Sequence, residues 1–221
     1  MGQTGLTTEG LRDASLVLRM GSQVIGNDVP AGGRSLLVIT GANQGGKSTL
    51  LRGIGLALLM MQSGMFVTAT AFRASVSTGI FTHYKREEDN TMTSGKLDEE
   101  LGRINEIVDH LKPGGTVLLN ESFAATNERE GSEIARQIVH ALTESGVRVI
   151  LVTHLFDLAD GLHNEHLDTA LFLRADRQYG GHRTFRITAG APLPTSYGID
   201  LYDQVFAPHT AEKPTRVLAG A

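Results

Sequence analysis

Residues 38–49 read V-I-T-G-A-N-Q-G-G-K-S-T, a complete G-x-x-x-x-G-K-[ST] pattern between a β-branched apolar run and a long apolar segment. In such a loop, glycines let successive backbone N–H groups turn towards phosphate oxygens, and the positive end of the following helix adds to the attraction. Lys47 then reaches the β- and γ-phosphates, and the Ser48 hydroxyl binds Mg²⁺. The chain is therefore predicted to bind a nucleoside triphosphate. The predicted nucleotide-binding residues are Gly41, Ala42, Asn43, Gln44, Gly45, Gly46, Lys47, Ser48 and Thr49.

Polar residues also follow two other short apolar runs. Glu121 comes directly after residues 116–120, and His154 comes after Val152-Thr153. In phosphate-loop ATPases, the corresponding strand usually ends in an Asp that holds the Mg²⁺ shell, often followed by a Glu that orients or deprotonates water. Asn120 takes the first position here, so an uncharged metal-site residue with weaker Mg²⁺ affinity is predicted. Glu121 is the predicted general base, and His154 is predicted to reach the γ-phosphate or the attacking water.

The surrounding pattern alternates apolar runs with helical periods, which predicts an α/β fold. The predicted strands are 15–20, 35–40, 116–120, 148–153, 169–174 and 183–188. The predicted helices are 47–63, 97–111 and 128–145. The last two strands are expected to pair through a Gly180-Gly181 turn. This order predicts a mostly parallel sheet flanked by helices, with an antiparallel β element and with ligand at the carboxyl ends of the strands.

The bulk composition restricts the class of protein. The chain has 221 residues, a formal net charge of −4 and no cysteine. We expect one domain over 1–206 with a tail or linker at 207–221, no general attraction to nucleic acid, and no disulfides. The N-terminus lacks a signal-peptide pattern, and the longest apolar stretch, 54–61, is too short to span a membrane. A soluble, cytoplasmic protein is the expectation.

Together, four segments resemble the ATPase domain of the MutS family of DNA mismatch-repair proteins: T-G-A-N-Q-G-G-K-S-T, L-L-N-E-S-F-A-A-T-N, V-T-H and the late S-Y-G-I. The resemblance covers nearly the whole chain. It includes G-N-D-V at 26–29, Phe81-Thr82 and Asp89-Asn90. It implies a P-loop NTPase fold of the ABC type, in which two copies form a head-to-tail dimer around two nucleotides.

Carried over by position, the resemblance implies ATP and Mg²⁺ as cofactors. It implies that Asn43 senses the γ-phosphate, that Glu121 activates water and that His154 completes the site. The residues that it assigns to the phosphates and Mg²⁺ are Lys47, Ser48 and Thr49. The resemblance favours adenine as the base, and the absence of an N-K-x-D guanine-reading sequence excludes guanine only weakly.

Two positions depart from the family pattern. Asn120 stands where the family has Asp, and 123–127 reads F-A-A-T-N where the family has a G-R-G-T-S-T-like loop that reaches the partner's nucleotide. Thr126 offers a hydroxyl there, but the glycines that let a backbone approach phosphate are missing. Both departures indicate a divergent subfamily with slow turnover.

These residues suggest three alternative functions. The first is Mg²⁺-dependent ATP hydrolysis that changes a homodimer and a DNA clamp, with mismatched or branched DNA bound by regions outside this chain. The alternative is a nucleotide-gated dimerisation module with little or no hydrolysis. A small-molecule phosphotransferase is disfavoured, because no arginine-rich lid segment is present. The chain is expected to be a fragment of a longer protein.

Overall fold

The computed structural model describes residues 5–84, 95–177 and 183–194. The strands and helices in chain order are β1 (Leu6–Leu11), α1 (Ala14–Met20), β2 (Asn27–Gly32), β3 (Leu36–Gly41), α2 (Lys47–Gln62), β4 (Ala71–Arg73), β5 (Ile80–Tyr84), α3 (Lys96–His110), β6 (Thr116–Asn120), α4 (Glu128–Glu144), β7 (Arg148–Val152), α5 (Phe156–Asn164), β8 (Ala170–Arg177) and β9 (Arg183–Ala189). A single 3-10 turn, Gly21–Gln23, follows α1.

A six-stranded sheet forms the centre, in the order β5-β6-β7-β3-β8-β9. All neighbouring pairs are parallel except β8 and β9, which are antiparallel. A second, antiparallel sheet has the order β2-β1-β4. The predicted α/β class, with a mostly parallel sheet flanked by helices and an antiparallel element, is confirmed. The carboxyl ends of β3, β6 and β7 meet at one edge of the sheet, where such folds bind ligands.

The central strands are buried on both faces because helices cover each side. One face is covered by α2 and the three-stranded sheet, and its core includes Leu6, Val29, Leu37, Ile39, Leu51, Ile54, Leu58, Leu118 and Ile150. The opposite face is covered by α3, α4 and α5, and its core includes Val38, Ile104, Leu119, Val139, Leu151 and Leu158. Each fully buried Leu or Ile stabilises the fold by roughly 1.5–3 kcal/mol. These two cores hold the strand ends in fixed relative positions.

The predicted strand at 15–20 is wrong, because this segment forms α1. Asp13 caps the helix: its side chain accepts a hydrogen bond from the Leu16 backbone N–H at 3.0 Å. No residue of α1 is buried, and Leu18 is 89% exposed. A short apolar run does not by itself distinguish strand from helix, and the N-cap is the signal that decides this segment.

The other predicted elements are confirmed within two or three residues at their ends. Sequence patterns did not predict β1, β2, β4, β5 or α5, which are short or partly polar. The predicted Gly180-Gly181 turn, the S-Y-G-I segment, the Asp89-Asn90 pair and the tail at 207–221 lie outside the described residues. Across the part of the chain that the structure describes, the helices are too short or too polar to cross a membrane.

Candidate functional site

The phosphate loop joins the carboxyl end of β3 to the first residue of α2. Its turn depends on positive φ angles, 102° at Gly41, 58° at Gln44 and 90° at Gly46. A Cβ on Gly45 would lie 2.7 Å from the Cβ of Ala175, so the loop passes too close to β8 for a larger residue. Glycine is required here for conformation at Gly46 and for space at Gly45. The sequence pattern and the observed strand, loop and helix therefore agree.

Lys47 is the first residue of α2 and is only 5% exposed. Its ammonium group lies against the loop, where Nζ donates to the carbonyl oxygens of Gly41 at 3.0 Å and of Ala42 at 3.1 Å. Burial lowers the pKa of Lys47 from its usual value; the Glu121 carboxylate raises it, and the Arg183 charge lowers it further. The buried cation is thus held at the mouth of the loop with Glu121 as the nearby negative group.

A cavity of about 380 Å³ opens beside this loop. Its lining includes polar residues of the loop and α2, among them Asn43, Lys47, Ser48 and Thr49. It also includes apolar side chains that follow α1 and an aromatic residue of β9, namely Val24, Ile25 and Phe185. A lining that combines polar and apolar groups suits a ligand that carries both phosphates and a flat ring.

Phe185 is a candidate binding residue that the sequence patterns missed. It is 50% exposed, and its φ of 56° is unusual for an aromatic residue. Asn27 holds this backbone on both sides: its Nδ2 donates to the Phe185 carbonyl at 3.1 Å, and its Oδ1 accepts from the Ile187 N–H at 2.6 Å. Arg183 Nε also donates to the Asn43 carbonyl at 3.0 Å, which joins β9 to the phosphate loop. The sequence signal that could have indicated this contact is the G-N-D-V segment at 26–29, because it contains Asn27.

Glu121 and His154 lie near each other at the ends of neighbouring strands. The Glu121 Oε1 and His154 Nδ1 atoms are 4.0 Å apart, beyond hydrogen-bond length, and both side chains are partly exposed. The Glu121 backbone N–H donates to the Val152 carbonyl at 2.8 Å, which ties the end of β6 to β7. Glu121 lines the same cavity as Lys47. His154 lines a second cavity of about 290 Å³, together with Thr40, Glu128 and Pro192.

Asn120 ends β6 on the side of the sheet that faces α2. Side chains alternate along a strand, so Asn120 shares its face with Leu118, which lies close to Gly55 of α2. Its Oδ1 is buried and has no hydrogen-bond partner among the described residues. Because buried polar atoms are normally paired, this oxygen is suited to a ligand or a metal-bound water. With the Ser48 hydroxyl it supplies neutral oxygen donors of the kind Mg²⁺ binds.

The segment after Glu121 is folded into the protein. Phe123 is completely buried with a φ of 67°. The Thr126 hydroxyl donates to Glu130 at 2.5 Å, and Asn127 caps α4 by accepting from the Glu130 N–H at 3.0 Å. Thr126, the predicted substitute for a donor to a partner's nucleotide, is thus engaged within its own chain.

The sheet order, the loop and the polar strand ends define a P-loop NTPase fold. The MutS domain V family model matches residues 37–219, so the chain belongs to the MutS family and corresponds to that domain. The chain is 32% identical over 187 residues to Endonuclease MutS2 of Lacticaseibacillus casei, an alignment that covers 82% of the chain and 23% of that protein.

Two further relatives carry mismatch-repair names. The DNA mismatch repair protein MutS of Desulforamulus reducens is 33% identical over 73% of the chain and 20% of its own length. The DNA mismatch repair protein MutS 2 of Haloarcula marismortui is 30% identical over 83% of the chain and 19% of its own length. The chain therefore spans about a fifth of the length of these relatives.

Proposed function

We propose that this domain binds ATP with Mg²⁺ and hydrolyses it, and that the nucleotide state changes a homodimer and a DNA clamp in mismatch repair or related DNA metabolism. The observation that best supports this proposal is that Lys47 and Glu121 line one cavity and that His154 Nδ1 lies 4.0 Å from Glu121 Oε1. Two relatives named as DNA mismatch repair proteins support the DNA context. Mismatched or branched DNA would be bound by regions outside this chain.

The triphosphate would lie against the phosphate loop in the cavity. The loop from Gly41 to Gly46 would direct backbone N–H groups at the phosphates, with the amino end of α2 behind them. Lys47 would exchange its two carbonyl contacts for phosphate oxygens, because an ammonium group bonds more strongly to charged oxygens than to neutral ones. Asn43 would contact the γ-phosphate, and Thr49 would join the phosphate contacts.

The base would lie against Phe185, which lines the same cavity. A flat aromatic ring, half exposed and held by Asn27, offers a stacking surface for a purine. Adenine is proposed on the family relationship, since stacking alone does not distinguish the purines. Replacing Phe185 by Ala should weaken ATP binding by roughly tenfold, because an aromatic–base stack contributes about 1–3 kcal/mol. Titration of ATP and of inorganic triphosphate separates base from phosphate contacts: only ATP should lose affinity.

Hydrolysis would require an activated water beside the γ-phosphate. Glu121 would accept the proton of that water, and His154 would donate a hydrogen bond to the phosphate or hold the water. Ser48 and Asn120 would hold Mg²⁺ or its water shell, where the metal neutralises charge on the phosphates. The positive charge of Lys47, which interacts with Glu121, would reduce the repulsion between the carboxylate and the phosphates.

A nucleotide-gated dimerisation module is the second candidate. Two observations favour it: the uncharged Asn120 at the metal position, and the use of Thr126 and Asn127 within α4. In that case ATP would bind and join two chains, and turnover would stay at background.

The deciding experiment measures ATP binding and hydrolysis over a range of protein concentrations, with Mg²⁺ varied and Lys47→Ala as the blank. Turnover that rises more than linearly with protein concentration would support a site completed by dimerisation. ATP binding and ATP-dependent dimerisation without turnover would reject hydrolysis and support the module. Absence of ATP binding would reject both functions.

A further inference from the structure

A buried polar cluster lies against the two residues that follow Glu121, Ser122 and Phe123. The proposed chemistry does not use it. His83 and Ser122 are both completely buried, and His83 Nδ1 lies 2.7 Å from Ser122 Oγ. His83 belongs to β5, at the edge of the central sheet, while Ser122 is the residue next to Glu121. A hydrogen bond thus connects an edge strand to the loop that carries the proposed general base.

The same loop has a second buried polar contact. The Phe123 backbone N–H donates to Glu100 Oε1 at 2.6 Å, and Glu100, on α3, is only 8% exposed. The Phe123 ring is stacked on the His83 ring, with centroids 6.3 Å apart and an angle of 11° between the planes. Buried hydrogen bonds such as the one between Phe123 and Glu100 are electrostatically stronger than hydrogen bonds in water. Side chains of β5 and α3 therefore hold the two residues that follow Glu121.

The backbone of this loop needs that support. Glu121 and Phe123 have φ angles of 53° and 67°, in the left-handed region that residues with a Cβ disfavour. A strained backbone persists where surrounding contacts fix it, and such strain is concentrated at functional sites. The direction of the Glu121 carboxylate follows from this backbone, because the side chain begins at the strained residue.

We propose that His83, Ser122 and Glu100 are positioning residues that hold the Glu121 loop in the conformation needed to activate water. This inference rests on the proposed ATP hydrolysis. The phosphate loop and the apolar residues that line the cavity belong to other elements, so loss of the cluster should change turnover and leave ATP binding intact. A cluster that only stabilised the fold would lower the unfolding temperature without separating turnover from binding.

The test compares Ser122→Ala with Ser132→Ala. Ser132 is also buried, at 6% exposure on α4, and its Oγ has no hydrogen-bond partner among the described residues. The two variants make the same change, but only Ser122→Ala removes a hydrogen bond to His83. We expect Ser122→Ala to lower kcat by roughly tenfold to a hundredfold, as small displacements of catalytic groups do, with the Kd for ATP within about twofold of the unmodified chain.

A second pair of variants tests Glu100. Glu100→Gln retains an oxygen acceptor for the Phe123 N–H and should keep most of kcat, whereas Glu100→Ala should lower kcat by roughly tenfold. Equal kcat values for Ser122→Ala and Ser132→Ala would overturn the inference. If the unmodified chain binds ATP but does not hydrolyse it, the proposed hydrolysis fails instead. Crystal structures then decide the positioning role: a Glu121 φ that leaves the left-handed region in Ser122→Ala supports it, and an unchanged φ rejects it.

Discussion

Two loops follow parallel strands at the same edge of the central sheet, and both use the left-handed region of backbone conformation. After β3, the largest positive φ angles belong to glycines, 102° at Gly41 and 90° at Gly46, with Gln44 at 58°. After β6, they belong to Glu121 at 53° and Phe123 at 67°. Glycine adopts this conformation without steric cost, whereas other residues lose roughly 1–2 kcal/mol each.

The two loops therefore obtain their shapes from different sources. The glycines of the phosphate loop encode its turn locally, and the segment is recognisable from sequence for that reason. The Glu121 loop has no glycine and is held by backbone N–H groups that donate to β7 and α3, by a hydrogen bond between Ser122 and His83 of β5, and by burial of Phe123. We expect the first loop to govern binding and the second to govern turnover, and the following substitutions test that division.

The largest effect is expected for Lys47→Ala. The variant loses charge-assisted contacts worth roughly 1.5–3 kcal/mol each, so the Kd for ATP should rise by about a hundredfold or more and turnover should fall to background. Calorimetric titration with ATP measures the binding. Lys112→Ala, which removes an exposed lysine from another part of the chain, is the control and should bind normally. Undiminished ATP affinity in Lys47→Ala would remove the phosphate loop from the binding site.

Glu121→Gln should separate turnover from binding. The amide has the same size but cannot accept the proton, so kcat should fall by roughly 10²- to 10⁴-fold while the Kd for ATP stays within about twofold. Steady-state hydrolysis and ATP titration are measured on the same preparation, beside the exposed control Glu144→Gln. Unchanged turnover in Glu121→Gln would refute the assignment of the general base.

Asn120→Asp should strengthen the proposed Mg²⁺ site. Adding a carboxylate beside Mg²⁺ should lower the Mg²⁺ concentration needed for half-maximal ATP binding by roughly tenfold. Without Mg²⁺, the new charge is buried and the unfolding temperature should fall. Mg²⁺ titrations and thermal unfolding check both effects, with the exposed Asn105→Asp as the matched change of charge. A Mg²⁺ requirement that does not move would place Asn120 outside the metal site.

Gly46→Ala should give the smallest of these effects, a modest loss of stability together with a loss of ATP affinity. The φ of Gly46 is 90°, and the atoms nearest an added Cβ are 3.8 Å away, so the expected loss is conformational rather than steric. The unfolding free energy should fall by roughly 1–2 kcal/mol. Gly64, with a φ of 71° and open space around it, provides the control.

Gly64→Ala should lose a similar amount of stability but keep ATP affinity, whereas Gly46→Ala should lose both. Chemical denaturation and ATP titration measure the two quantities. Equal ATP affinities in the two variants would show that the glycine conformation of the phosphate loop is unimportant for binding.

Predictions from sequence succeeded where a local pattern carried enough information. The phosphate loop, the helices with a clear apolar period and the short buried strands followed by polar residues all have local signals, and they were placed correctly. The prediction for 15–20 failed because six mostly apolar residues suit either a strand or a helix. The helix N-cap, Asp13, decides in favour of a helix. The strands β1 and β2 were missed because their pairing partners, rather than their own composition, define them.

The sequence by itself determined the phosphate loop, the class of fold and the identities of the strand-end residues Asn120, Glu121 and His154, since each rests on residue type and short spacing. Only the tertiary structure decided which distant groups meet them. It brought Phe185 and Asn27 to the wall of the cavity and placed a buried histidine and a buried glutamate against the two residues that follow Glu121. The physical reason is that sheet pairing and core packing bring together residues far apart in the chain, as in the hydrogen bonds that join residues 23 and 160 positions apart. Local patterns carry no information about those contacts.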